Sequence, residues 1–297
     1  MTRPLVSLLM PVYNAAPFVE LAIGSVLAQT YRKWELIVID DGSTDNTADR
    51  VAAIADQRIR LLRHTENLGL PARLNQAVRE ARGSLLARMD GDDIAFPGRL
   101  ERQAGFLLRH PLVDLVATDM LIIGCDGTPA GRERWRGADH RSITAKPWGG
   151  FHLNHATWMG RAGFFRRFAY DVRAHRCEDD DLILRAYRTS RFHRLREVHY
   201  AYRLGPLDAQ AVWTARSHYM RSLSREAVRS RDVRLLYGIP AQIAKGTAER
   251  GAAALGLTGL VTGHRNNEMV SPELVRVYES HVRKARELVG GPLSRTG

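Results

Sequence analysis

The chain has 297 residues, 44% of them hydrophobic, and a formal net charge of +12. That is enough apolar content for one large α/β domain with an appendage, or two small domains. Two cysteines, Cys125 and Cys177, exclude a disulfide framework, and no apolar window approaches the twenty or so residues that span a bilayer.

The N-terminus runs straight into a strand-like segment without the architecture of a secretion signal, so the expected setting is cytoplasmic and reducing. The stretch 251–262 is apolar but too short and too glycine-rich to cross a membrane. The basic excess is mostly arginine and is dense between Arg132 and Arg234. Such a surface attracts polyanions: nucleic acid, anionic headgroups or acidic glycans.

The predicted elements begin with a strand over Leu5–Met10, closed by Pro11. Val19, Ile23, Val26 and Leu27 recur at helical spacing within Phe18–Gln29. Trp34–Ile39 is a second strand, ending at Asp40-Asp41-Gly42. A helix follows from Ser43 to about Ala55, with Asp45 and Asn46 suited to its start. Ile59–Arg63 is a third strand, Pro71 opens a helix to about Glu80, and Ser84–Met89 is a fourth strand. This alternation predicts a mostly parallel sheet with helices on both faces. Ligands then bind at the carboxyl ends of the strands, where Pro11, Asp40, Asp41, Asp90 and Asp92 all fall.

Beyond this, Pro97–Leu108 reads as a helix and Leu112–Ile123 as a strand entering a hairpin at Asp126-Gly127. Arg132–Gly150 reads as a long mobile loop, Asn154–Met159 as a short strand, and Asp179–Tyr187 as a helix with acids first and arginines last. Glu197–Arg203 is a further strand. From about Val212 the chain turns helical and basic, with a break at Gly238–Pro240 and a last helix near Pro272–Leu288.

Asp90, Asp92 and Asp93 follow an apolar run within four positions. Carboxylates so crowded repel one another unless a cation sits between them. A hard divalent ion completed by a substrate's phosphates is one solution, and a solvated acidic turn is the other. Gly91 permits close backbone approach.

Four blocks line up in order: Met10-Pro11-Val12-Tyr13-Asn14, Ile39 to Asp45, Met89-Asp90-Gly91-Asp92-Asp93, and Glu178-Asp179-Asp180-Asp181-Leu182. Over about residues 5–205 the chain resembles the family 2 glycosyltransferases. The resemblance implies the GT-A fold: a Rossmann-like, mostly parallel sheet sandwiched by helices, with a C-terminal helical extension. It implies a transferase domain over 1–205, with a nucleotide-binding half to about 95 and an acceptor half over 96–205. Residues 206–297 form the basic extension.

The resemblance also implies roles. Pro11, Val12 and Asn14 bring backbone groups beside the nucleotide base, and Tyr13 stacks on it. Asp41 accepts the base N3–H, and Asp40 holds the turn. Asp92 ligates Mg²⁺ or Mn²⁺, while Asp90 contacts ribose or a metal-bound water. Asp179 is the general base, with Glu178 as its alternative. His155, Thr157 and Trp158 line the donor-sugar and acceptor cleft. Many relatives carry Arg-x-His after the last strand. Here Arg203-Leu204-Gly205 lacks the histidine, leaving a third protein ligand in doubt. The Gln-x-x-Arg-Trp of processive synthases is absent.

The function so implied is metal-dependent, inverting transfer of one sugar from a nucleotide-diphospho sugar, UDP-linked, to a glycan or lipid-linked acceptor. The basic part would rest on the inner face of the cell membrane. The alternatives are a non-catalytic nucleotide-sugar-binding protein and a sugar-phosphate nucleotidyltransferase. Pro11-Val12-Tyr13-Asn14 replaces the glycine-rich loop expected of the latter. Nucleic acid is not an expected partner, because acids at strand ends repel phosphates when no metal is bound.

Overall fold

The structure, a computed structural model, describes residues 3–133, 135, 137–205, 208–255 and 268–290. Its first half alternates as the apolar runs predict: β1 (Val6–Val12), α1 (Val19–Leu27), β2 (Trp34–Asp41), α2 (Thr47–Ala52), β3 (Ile59–His64), α3 (Leu70–Glu80) and β4 (Leu85–Arg88). These strands lie parallel in the order β3-β2-β1-β4. Every residue of β1, β2 and β4 is buried. That is why the runs lack polar alternation: helices cover both faces.

The two-residue period of a strand divides the core in two. Leu8, Met10, Leu36 and Val38 pack with Ile23 and Val26 of α1. Leu9, Ile37 and Ile39 point the other way, onto Leu74, Ala77 and Val78 of α3.

The second half contains β5 (Ile94–Ala95), α4 (Arg99–Arg109), β6 (Leu115–Ile123), β7 (Pro129–Glu133), α5 (His140–Ile143), β8 (Met159–Arg161), α6 (Ala162–Arg167), α7 (Glu178–Ala186) and β9 (Phe192–Arg203). The described strands form one sheet ordered β3-β2-β1-β4-β8-β6-β9-β5, with β7 beside β6. Here only β6 and β9 pair in parallel; the β4–β8, β6–β8, β6–β7 and β5–β9 pairs are antiparallel. The mostly parallel expectation therefore holds for the first half alone.

Two local expectations are corrected. The segment expected as a mobile loop over 132–150 contains the end of β7, the helix α5 and a 3₁₀ turn at Pro147–Gly149. The strand expected at Asn154–Met159 is a 3₁₀ turn over His155–Thr157 followed by β8.

The C-terminal part adds α8 (Ala209–Ser230), a 3₁₀ segment at Val233–Tyr237, α9 (Gly238–Ala254) and α10 (Pro272–Val289). Pro240 sits in the first turn of α9, where its missing N–H costs little. The glycine-rich stretch over 251–262 lies mostly outside the described residues. The helix α10 returns to the first half and packs on α1. A Cβ at Gly24 would lie 2.3 Å from the Ala285 carbonyl oxygen, so that crossing requires glycine. The Tyr278 hydroxyl donates to the Gly127 carbonyl at 2.8 Å.

Candidate active site

The carboxyl ends of β1, β2 and β4 lie side by side, since Val12 pairs with Asp40 and Leu9 with Arg88. After β4 the chain turns sharply through Asp90-Gly91-Asp92. A Cβ on Gly91 would meet Val12 Cγ1 at 2.6 Å, so glycine seats this turn against β1. The carboxylates of Asp90, Asp92 and Asp93 offer ligand oxygens within 4.8 Å of one another. Burial, then the neighbouring Asp90, pushes Asp92 up to about 6. Asp93 is buried, and its Oδ1 accepts from the Arg203 backbone N–H at 2.7 Å. It therefore holds the end of β9. The Arg203 guanidinium donates to the Asp92 carbonyl at 2.8 Å and to the Cys125 carbonyl at 2.8 Å.

This turn forms one wall of a cavity of about 600 Å³. The opposite wall is the start of α7, where Glu178, Asp179 and Asp180 face the same space. Burial and the adjacent Asp179 raise Glu178 to about 7. Asp179 is raised by burial, against backbone N–H groups at the helix start that favour its anion. Asp180 is raised to about 8 by burial and Asp179, and accepts from the Phe151 N–H at 3.0 Å. The fourth acid, Asp181, serves structure: it accepts from Arg185 at 2.8 Å, Ser222 at 2.7 Å and Arg225 at 2.6 Å.

Between the two walls lies Arg88, which sequence reading missed. Its guanidinium donates to Asp90, and its charge favours the anions of both Glu178 and Asp179. Its Nε is buried without a hydrogen-bond partner. The signal was there to see: one cation inside the apolar run Leu85-Leu86-Ala87-Arg88-Met89. Arg176, also unforeseen, lines the cavity with a left-handed backbone, φ 63°, just before the acidic helix.

The remaining expected residues divide. Tyr13 is exposed beside the cavity's strand ends, and Asn14 joins the β1 and β2 loops by accepting from the Thr44 N–H at 2.8 Å. Pro11 and Val12 are buried at the end of β1, beside Ile39 and Asp40 of β2. Asp40 is buried and accepts from the Ser43 hydroxyl. The Asp41 carboxylate accepts from the Leu68 and Gly69 N–H groups, each at 2.8 Å, and from Arg73 Nε at 2.6 Å, which ties the end of β2 to the β3–α3 turn. That uses three of about four acceptor positions and leaves one for a ligand.

Thr157 and Trp158 are corrected. Both are buried outside the cavity wall. The Thr157 hydroxyl donates to the Asn154 carbonyl at 2.8 Å, and the Trp158 indole to the Leu153 carbonyl at 3.1 Å. The 3₁₀ turn rotates them inward and leaves His155 on the wall, where it pairs with the Tyr170 hydroxyl at 3.0 Å. Burial, then Arg88, depresses the His155 pKa, so the ring is neutral. The aromatic wall comes instead from Trp135, stacked on His152 at 4.0 Å, with Phe151 and Tyr202.

The sequence model described as glycosyl transferase family 2 matches residues 7–169, which include the strand-end turn and the first wall of this cavity. The chain belongs to glycosyl transferase family 2. EpsE of Bacillus subtilis (strain 168), named as a glycosyltransferase, is 38% identical over 207 residues, covering 67% of this chain and 73% of EpsE. WfgD of Escherichia coli, a UDP-Glc:alpha-D-GlcNAc-diphosphoundecaprenol beta-1,3-glucosyltransferase, is 42% identical over 106 residues, 36% of this chain and 42% of WfgD. Among solved structures, S. aureus TarS 1-349 superposes with a TM-score of 0.62 at 16% identity, over 96% of this chain and 80% of that one. The mannosyltransferase PcManGT from Pyrobaculum calidifontis superposes with a TM-score of 0.59 at 18% identity, over 96% and 86%. These likenesses establish the GT-A fold, and the family makes the chain a glycosyltransferase.

Proposed function

We propose that this glycosyltransferase moves one sugar from a UDP-linked donor to a glycan or lipid-linked acceptor, with inversion and with help from a divalent cation. The observation that carries this reading is the convergence of two acidic groups, from β4 and α7, on one cavity with Arg88 between them. One group suits a metal and the other a proton.

The strand-end acids fit the ion by their chemistry: an all-oxygen set, close enough to repel, with Asp92 pushed toward protonation by burial and by Asp90. Asp92 and Asp90 would hold Mg²⁺ or Mn²⁺. Asp93 is committed to Arg203, and Leu204-Gly205 offers no ligand, so the donor's diphosphate would complete the set. A cation there neutralises charge on the departing diphosphate. PcManGT holds Mn²⁺ with GDP-Man, which supports use of a divalent ion.

Tyr13 offers an exposed face for a nucleoside base at the end of β1. Polar recognition of the base falls to the acceptor position left on Asp41, with Asp40 and the backbone around Pro11, Val12 and Asn14. Across the cavity, Asp179 takes the proton from the acceptor hydroxyl: it borders the open space and, among the described residues, no side-chain cation binds it. Glu178 is the alternative at the same wall. The UDP assignment is supported by the names of two similar proteins: WfgD uses UDP-Glc, and TarS was solved with UDP-GlcNAc. WfgD's diphosphoundecaprenol acceptor supports the lipid-linked reading.

A donor screen tests this directly. UDP-, GDP- and dTDP-sugars are incubated with protein and Mn²⁺ or Mg²⁺, and nucleotide diphosphate release is read with and without EDTA. Release from UDP-sugars that stops on chelation is expected. Release unaffected by EDTA sinks the metal reading, and release only from another nucleotide sinks the UDP reading.

A further inference from the structure

We infer that the end of α8, the 3₁₀ segment Val233–Tyr237 and the start of α9 form a surface that docks on an anionic lipid bilayer. This goes beyond the transferase reading and does not depend on it. No described helix is long and apolar enough to cross a membrane.

Three observations converge. The first is apolar exposure. Val228, Val233, Leu236, Tyr237 and Ile243 all face solvent, Val233 at 68% and Tyr237 at 65%. In the 3₁₀ segment, Val233 and Leu236 are three apart and share a face, with Tyr237 beside them. Scattered exposed aliphatics need no explanation, but five within sixteen positions form a patch.

The second is charge. Residues 227–255 contain five basic residues, Arg229, Arg231, Arg234, Lys245 and Arg250, against two acids. Both acids are neutralised: Asp232 is buried between Arg188 and Arg234, and Glu249 pairs with Arg216. Arg229 is held by Glu226 and Arg234 by Asp232, while Arg231 and Lys245 have no acidic partner among the described residues, so the patch keeps cations in excess of its carboxylates beside the aliphatics. An anionic interface complements both features: headgroups take the arginines, and the acyl boundary takes valine, leucine and the tyrosine ring. A protein partner would have to supply acids and a matching apolar face together.

The third is position. Tyr237 packs edge-on against Trp148, with centroids 6.4 Å apart. Gly238 is pressed against the Trp148 carbonyl, where a Cβ would come within 2.4 Å. Trp148 and Phe151 belong to one apolar cluster, and Phe151 lines the catalytic cavity. The patch is thus joined to the α7 wall of the cavity through two aromatic side chains. Docking it would set that wall near the bilayer surface, where an acceptor anchored by a lipid diphosphate presents its sugar.

The test is co-sedimentation with phosphatidylcholine vesicles, with and without phosphatidylglycerol. The wild type should pellet only with the anionic vesicles and be released by salt. Arg231→Ser with Lys245→Ser should weaken partitioning about fivefold per residue, the factor for about 1 kcal/mol per basic side chain. Val233→Ser with Tyr237→Ser should weaken it further at constant charge. UDP release in solution should be unchanged in both variants, since none of these side chains lines the cavity. Equal partitioning onto neutral vesicles, or full partitioning by both variants, overturns the inference. So does a concentration-dependent dimer that Val233→Ser with Tyr237→Ser abolishes, because the patch would then be a self-interface. Absence of UDP release by the wild type would instead count against the transferase reading and leave the vesicle result standing.

Discussion

The two acidic walls of the cavity carry similar residues and are built on opposite principles. At the end of β4, three aspartates crowd on a turn with no helix dipole to help them, and Arg88 and Arg203 hold the turn in place. At the start of α7, the acids sit on backbone N–H groups that favour their anions, yet burial still raises Glu178 and Asp180 toward neutrality. The first arrangement crowds more carboxylate charge on one turn than its two arginines offset, and suits a metal. The second keeps a proton within reach at neutral pH and suits a base. Each experiment below separates these roles or merges them.

The largest effect is expected at the strand end. Asp92→Asn keeps side-chain volume and removes the charge a cation needs. Turnover should fall by about three orders of magnitude, the scale of several kcal/mol of leaving-group stabilisation. The circular dichroism spectrum should not change, and added Mn²⁺ should not restore activity. Near-normal activity in EDTA would show that this wall holds no catalytic metal.

The helix wall should behave differently. Asp179→Asn should lower turnover by about two to four orders of magnitude, the range general-base catalysis supplies. UDP affinity should barely move, since the nucleotide is assigned to the other wall. Calorimetric UDP titration beside single-turnover transfer reads both, with Glu178→Gln in parallel. If Glu178→Gln is dead and Asp179→Asn is active, the base moves by one residue. If both lose UDP affinity, the two walls are one site and the division fails.

The intermediate case is Arg88, which binds Asp90 on one wall and acts through its charge on the acids of the other. Arg88→Gln should slow turnover by about one to two orders of magnitude. It should also move the acid limb of the pH–rate profile upward, because the guanidinium favours the anions of Glu178 and Asp179. Arg88→Lys restores charge without the fork and should recover the pH limb more than the rate. An unshifted limb in Arg88→Gln would confine the arginine's role to Asp90.

How far the sequence reached follows from how each half is built. The strands β1, β2 and β4 are buried runs bounded by proline, glycine and acids, so their ends, and the acids on them, could be read locally. The short strand β8 owes its existence to pairing with β4 and β6, long-range contacts that no local pattern reports. Trp158 and Trp135 make the same point for side chains. The sequence marks Trp158 as a cleft candidate, but the 3₁₀ turn at His155–Thr157 turns it inward, and Trp135, which carried no such mark, lines the cavity instead. Asp41 carried the right residue type at the right strand end, but its partner Arg73, 32 positions later, could not be read locally. Arg88 was passed over because an apolar run was read for its hydrophobicity and not for its exception.

The smallest effect concerns stability, and it distinguishes the walls without any substrate. An acid whose folded pKa is raised binds more protons folded than unfolded, so stability falls as pH rises from the unfolded pKa through the folded one. Asp92 at about 6, Glu178 at about 7 and Asp180 at about 8 all contribute in this direction. Below about pH 6.5 they are opposed by histidines whose pKa burial depresses, among them His155, His193 and His199. Those rings favour folding as pH rises toward their unfolded value. Above it they are neutral in both states and drop out. Cys177, raised by burial, enters only near the thiol's ordinary range. The metal-free protein should therefore lose on the order of a few degrees of Tm between about pH 6.5 and 8.5. Mn²⁺ with UDP should cancel the Asp92 share, at the lower end of that window. The share of Glu178 and Asp180 should remain, and Glu178→Gln with Asp180→Asn should remove it. A flat Tm across the window would mean these acids are not held in their neutral forms. A slope abolished entirely by Mn²⁺ with UDP would mean that one cation governs both walls, and that the proton wall has no electrostatic independence from the metal wall.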